Sequence, residues 1–125
     1  MAKHGHIVWN ELNTRNIRGA QLFYGKMMGW TFEAMPMPEG TYWVAKMNDD
    51  MVGGLFDISN PMFEGVPEHW FTYIEVDNVD RRLEGIVAAG GTIKRPAWDI
   101  PGIGRVAIVA DPGGAVQGWM TSVQR

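Results

Sequence analysis

Apolar and polar positions change period twice in each half of the chain. His6-Ile7-Val8-Trp9-Asn10-Glu11-Leu12 sets Val8 and Leu12 against Ile7, Trp9 and Glu11, the two-residue alternation of a strand. From Arg18 to Met28 the apolar side chains Ala20, Phe23, Tyr24 and Met27 recur at i, i+3, i+4 and i+7, one face of a helix. Gly29 stops it, because a residue without Cβ enters the left-handed conformation freely. Strands over Trp30 to Ala34, Thr41 to Met47 and Val52 to Ile58 follow. The second half repeats the order. Trp70 to Val76 predicts a strand, Asp77 or Asn78 caps a helix striped by Val79, Leu83, Ile86 and Val87, and Gly90-Gly91 closes that helix. Strands over Gly91 to Arg95, Gly104 to Ala110 and Ala115 to Thr121 complete it.

Asn16 and Asn78, Ile17 and Val79, and Gly29 and Gly91 are each 62 positions apart, which points to a duplicated βαβββ module. The expected organisation is one domain over residues 1–125, with modules at about 5–59 and 66–121. Ser59 to Pro67, with two Pro and one Gly, links them. Gly53-Gly54 inside a strand pattern predicts a bulge or a close backbone approach. A single short helix covers one sheet face, so two modules can line a shared cavity with the other. The fold class is therefore α+β, with curved mixed sheets around a pocket. The aliphatic strand positions suit the helix side, and Trp9, Glu11, Phe71, Tyr73 and Glu75 mix aromatics with carboxylates as pocket walls do.

Composition narrows the function classes. The 125 residues are 46% hydrophobic, with six Trp and five Phe, which excludes disorder and leaves aromatics to line a pocket. No Cys is present, so disulfides, thiolate catalysis and Cys-based zinc sites are excluded. The net charge of −3, with Arg81-Arg82 and Lys94-Arg95 as the adjacent basic pairs, argues against nucleic acid and anionic membrane as partners. Met1 to Gly5 lacks the apolar segment of a signal peptide and no long apolar run exists, so a cytoplasmic location is expected. Serine-elbow, Walker and dinucleotide motifs are missing; Gly102-Ile103-Gly104 continues without a third Gly.

Taken together, Trp9-Asn10-Glu11-Leu12-Asn13-Thr14, Phe23-Tyr24-Gly25, Gly29-Trp30, Val52-Gly53-Gly54-Leu55 and Asp111-Pro112-Gly113-Gly114 give the chain a clear likeness. It resembles the vicinal oxygen chelate superfamily, which includes glyoxalase I, extradiol dioxygenases, fosfomycin-resistance enzymes and bleomycin-resistance binding proteins. The resemblance runs over residues 5–121. It implies the tandem βαβββ fold, and a divalent metal that acts as a Lewis acid on two adjacent substrate oxygens. Carried over position by position, its metal ligands fall at Trp9, in the stretch Gly54 to Phe56, at Phe71 and at Gly118. None of these can ligate through a side chain.

No cofactor is therefore expected, although a divalent metal remains open in a shifted register where His69 works with Glu11, Glu75 or Asp57. The ligand-binding set is Trp9, Asn13, Trp43, Phe56, Phe71, Tyr73, Glu75, Arg105 and Trp119, with Asn13 where relatives recognise a polar end of the substrate. Glu11 is a candidate general base, or is tied to Arg105 or Asn13. Pro96 to Gly104 is either a lid over the cavity or an ordinary hairpin loop.

The leading expectation is a metal-independent protein that binds a small hydrophobic or aromatic molecule in a Trp-lined cavity. The alternative is a metal-dependent lyase, isomerase or dioxygenase related to glyoxalase I, with Glu11 as base. A module whose exposed aromatics bind another protein is a third class. The partner is a small molecule, and homodimer formation is open.

Overall fold

The computed structural model describes residues 3–37 and 40–123. The elements are β1 (Ile7–Thr14), α1 (Ile17–Met28), β2 (Thr31–Met37), β3 (Gly40–Met47), β4 (Asp50–Asp57), a 3-10 turn (Pro61–Phe63), β5 (His69–Glu75), α2 (Val79–Glu84), β6 (Thr92–Ile100), β7 (Gly104–Ala110) and β8 (Val116–Ser122). Strand, helix and three strands occur twice, so the chain is α+β and built of two tandem βαβββ modules. By packing, the chain divides into two compact units. The first is Trp9–Phe71; the second joins the described residues up to Val8 to those from Thr72 onward. Among the described residues no helix is long and apolar enough to cross a membrane.

In the first unit the strands lie in the order β2-β3-β4-β1. β1 runs parallel to β4, with Leu12 opposite Leu55, and the hairpin pairs are antiparallel. Asn16 starts α1 because its side chain accepts from the Gly19 N–H at 2.9 Å, satisfying one of the donors a helix start leaves over. Gly29 ends it at φ 78°. One face of the helix then covers one face of the sheet: Leu12, Ala45 and Leu55 are buried there, packed by Ile17, Ala20, Tyr24, Trp30, Phe32 and Trp43. Apolar area withdrawn from water stabilises this contact at about 25 cal/mol per Å².

Gly53-Gly54 meets both expectations placed on it. The β3–β4 register slips between Ala45 and Lys46, which leaves Val52 as the extra residue of a bulge. A Cβ on Gly53 would stand 2.9 Å from the Asn10 carbonyl oxygen, a close backbone approach.

The second unit has the order β5-β8-β7-β6, with β5 parallel to β8. Asn78 caps α2 as Asn16 caps α1, accepting from the Arg81 N–H at 3.1 Å. Its core is Val76, Val79 and Ala107, packed by Leu83, Ala97 and Trp119.

Two boundaries differ most from expectation. α2 stops at Glu84, before Gly90-Gly91, because bonding tightens to three-residue spacing, with Gly85 N–H to Arg82 and Ile86 N–H to Leu83; residues 85–90 follow as turns. β6 runs on to Ile100, past the expected stop at Arg95. Register shifts on both sides of Arg95 let Pro96 sit in the strand without a ladder donor. The stretch Pro96 to Gly104 is thus mostly strand, and only residues 101–103 form the turn of a hairpin.

Candidate functional site

The face of β1 turned away from α1 carries three of the expected site residues. Alternation along β1 puts Leu12 in the helix-side core and therefore Trp9, Glu11 and Asn13 on the opposite face. The parallel register sets Glu11 opposite Gly54 and Asn13 opposite Phe56. Trp9 donates its indole N–H to the Tyr42 hydroxyl at 2.8 Å. That hydroxyl and its ring carbons occupy the space a side chain at position 54 would need, so only glycine fits beneath Tyr42.

At the other end of the same face, His69 and Asn13 define each other. The imidazole Nδ1 lies 2.7 Å from the Pro67 carbonyl oxygen, which can only accept, so Nδ1 carries the proton. In the tautomer with its proton on Nδ1, Nε2 accepts from the Asn13 Nδ2 amide at 3.2 Å. Asn13 is 7% exposed, and its Oδ1 is buried without a hydrogen-bond partner. A buried acceptor left in this state costs about 1–3 kcal/mol, so it calls for a reason. The His69 ring meets Phe71 edge to face with centroids 6.1 Å apart, and Phe56 meets Phe63 similarly at 5.6 Å. Glu11 is also buried, at 6% exposure.

The segment leading into His69 is tied to the end of β1. Glu68 accepts from the Arg15 backbone N–H at 2.8 Å. Its carboxyl is held below the ordinary range, first by a hydrogen bond from the Thr14 side chain and further by Arg15.

Several expected site residues lie elsewhere. Trp43 stands opposite Leu55 and packs in the helix-side core, because residues paired across strands share a face. Trp119 likewise faces Ala107 in the second unit's core, its indole N–H bonded to Gln117 at 3.0 Å. Arg105 is paired with Asp80 at 2.7 Å and Asp99 at 3.3 Å, so its charge serves the junction of α2 with the β6–β7 hairpin. Asp80 is lowered by this guanidinium, and Arg105 is raised in turn, first by Asp80 and then by Asp99.

Tyr73 and Glu75 belong to the second unit, Tyr73 opposite Gly118. Glu75 is buried and accepts from both the Ser122 N–H at 2.9 Å and its hydroxyl at 2.5 Å, a structural use of the carboxylate. Asp57 closes a turn by accepting from the Ser59 N–H. Tyr42 is the contributor that sequence reasoning missed; the Gly53-Gly54 pair was its only trace.

The donor set does not suit the superfamily's metal. Trp9 and Tyr42 are hydrogen-bonded to one another, Gly54 lies under Tyr42, and Phe71 and Gly118 offer no lone pair. His69 faces Asn13, and among the described residues no three His, Cys, Asp or Glu side chains come together around one point.

Two clefts lie apart from this face, and neither is lined by Trp. One of about 460 Å³ is bordered by Asp80, Asp99, Ile100, Pro101, Arg105 and Thr121, the other of about 570 Å³ by Arg15, Asn60, Pro61 and Glu64.

The family model of the Glyoxalase/Bleomycin resistance protein/Dioxygenase superfamily matches residues 3–116. The chain belongs to this superfamily. Among curated relatives, "Putative glyoxylase CFP32" of Mycobacterium tuberculosis is 36% identical over 117 residues, 91% of the chain and 45% of that protein. "Anthracycline biosynthesis protein DnrV" of Streptomyces peucetius is 27% identical over 123 residues, 89% of the chain and again 45% of the relative. The chain thus spans about half the length of the curated relatives it matches. Among solved structures, hypothetical protein BH1468 of Bacillus halodurans C-125 superposes with a TM-score of 0.74 at 11% identity, over 98% of both chains. Methylmalonyl-CoA epimerase of Mycobacterium tuberculosis superposes with a TM-score of 0.67 at 10% identity, over 99% of this chain and 93% of that one. At such identities these two likenesses speak for the superfamily's fold alone.

Proposed function

We propose that the chain binds a small organic molecule with a flat apolar body on the first unit's face of Trp9, Glu11, Asn13, Phe56, His69 and Phe71, without a tightly held metal. The observation that carries this reading is the Asn13 amide. It is more than nine-tenths buried, hydrogen-bonded to His69 with Phe56 opposite in register, and has one acceptor unused. Apolar walls with a few oriented polar groups are the usual composition of a small-molecule site. The aromatic and glycine residues at the metal points support binding by packing and hydrogen bonds rather than chelation. Of the tryptophans first assigned to the ligand, Trp9 alone stays in the reading.

A second reading, proton abstraction by Glu11 within a lyase or isomerase, is favoured by one feature: this buried carboxylate shares the face with Asn13. Metal analysis of untagged protein before and after incubation with Zn²⁺, Ni²⁺, Mn²⁺ and Fe²⁺ separates chelation from packing. The expected result is metal well below one equivalent after desalting, and a stoichiometric ion would overturn the reading. Titration of ¹⁵N-labelled protein with small aromatic compounds should move the Trp9 indole and Asn13 side-chain amide resonances together. Wild-type protein that exchanges a ligand C–H for deuterium in D2O, with the exchange lost in Glu11→Gln, would favour proton transfer; binding without such exchange favours the first reading.

A further inference from the structure

We infer that His69 is a positioning residue that sets the polarity of the site, so that it selects ligands presenting an N–H or O–H donor beside a flat apolar body. The inference rests on the binding reading above and adds the ligand class.

The argument runs outward from a backbone carbonyl. Pro67 C=O can only accept, and it lies 2.7 Å from Nδ1 of His69, so it selects the tautomer with the proton on Nδ1. Nε2 is then a bare acceptor. The Asn13 amide must present Nδ2 to it, which it does at 3.2 Å. An amide with its nitrogen committed in one direction has its oxygen committed in the other. Oδ1 is consequently turned away from His69 and is buried without a partner. The strand register holds Asn13 itself, with Phe56 opposite, so the side chain's remaining freedom is the amide flip, and His69 removes it. A group able to satisfy that oxygen must donate. A ligand presenting only an acceptor would set two lone pairs against each other, and a purely apolar one would leave the oxygen unpaired.

Indole and benzofuran test this, since they share shape and aromatic surface and differ in carrying a ring N–H or a ring oxygen. Binding of each is followed by ¹H–¹⁵N spectra on wild-type protein and on His69→Phe, and the wild-type His69 tautomer is read from its imidazole ¹⁵N shifts. The expected result is that wild-type protein binds indole about tenfold more tightly than benzofuran. His69→Phe should bring the two within about twofold by freeing the amide to turn, and Nε2 should be unprotonated in the wild type.

Equal binding of the two probes to wild type, tenfold selectivity retained in His69→Phe, or a proton on Nε2 overturns the role of His69 while leaving binding on this face standing. If neither probe moves the Trp9 and Asn13 resonances, the binding reading fails and this inference fails with it. Should His69→Phe not fold, the wild-type tautomer and the wild-type probe pair decide.

Discussion

At the residue scale, two glycines of the first unit separate opposite effects of one added methyl group. Gly54 lies under Tyr42, so Gly54→Ala must displace the ring and break the bond from the Trp9 indole. We expect it to lower stability by about 1–3 kcal/mol, read by urea denaturation, and to make the Trp9 indole N–H exchange faster with solvent. Gly25 lies inside α1, where an added Cβ would find its nearest neighbour, the Trp30 carbonyl oxygen, at 3.5 Å. Gly25→Ala should therefore raise stability, by about 0.5–1 kcal/mol in the same assay. The close approach at Gly53-Gly54 could be read from the chain, since glycine in a strand pattern has few other uses. Tyr42 could not, because nothing local tells which of three tyrosines fills the space.

Among the elements, the two helices answer the same start signal at different lengths. Asn16 and Asn78 each accept from the N–H three residues on, and Asn16→Ala or Asn78→Ala should each cost about 1 kcal/mol in equilibrium unfolding. The entry to α2 also carries a pH signature. Asp77 is lowered to about 2, first by its hydrogen bond from Arg82 and then by the charges of Arg82 and His4. A carboxyl lowered on folding stabilises the protein above its unfolded value, near 3.8, and loses that contribution as pH falls toward 2. Stability should therefore drop between pH 4 and 2 in the wild type, and Asp77→Asn should flatten that part of the profile in urea titrations. The caps and Gly29 were legible because capping is local chemistry. The early end of α2 and the extension of β6 were not, since both depend on what the backbone meets in space.

For the whole molecule, the absence of ligating side chains at the metal points leads to an expectation about heat stability. Adding Zn²⁺ or a chelator should leave the melting temperature unchanged to within about 1 °C, whereas a metal bound to the native state would raise it with concentration. The order of strand, helix and three strands in each half was legible from periodicity and glycine spacing, because both halves obey the same local rules. Membership of the superfamily was legible from the Phe23-Tyr24-Gly25 helix, the Gly29 stop and the Asp111-Pro112-Gly113-Gly114 turn. Which tryptophans share the face of Glu11 and Asn13 was decided only by tertiary structure. The bulge at Val52 shifts the β3–β4 register, and one residue of slip exchanges the two faces of a strand, so Trp43 falls under α1 and Tyr42 over Gly54. Arg105 is likewise fixed by its folded surroundings, paired with Asp80 on α2 and with Asp99 across the β6–β7 hairpin. The pairing of His69 with Asn13 spans 56 positions. Local periodicity determines which elements form and which positions alternate; the hydrogen-bond partner of a side chain depends on long-range register, which only the folded sheet supplies.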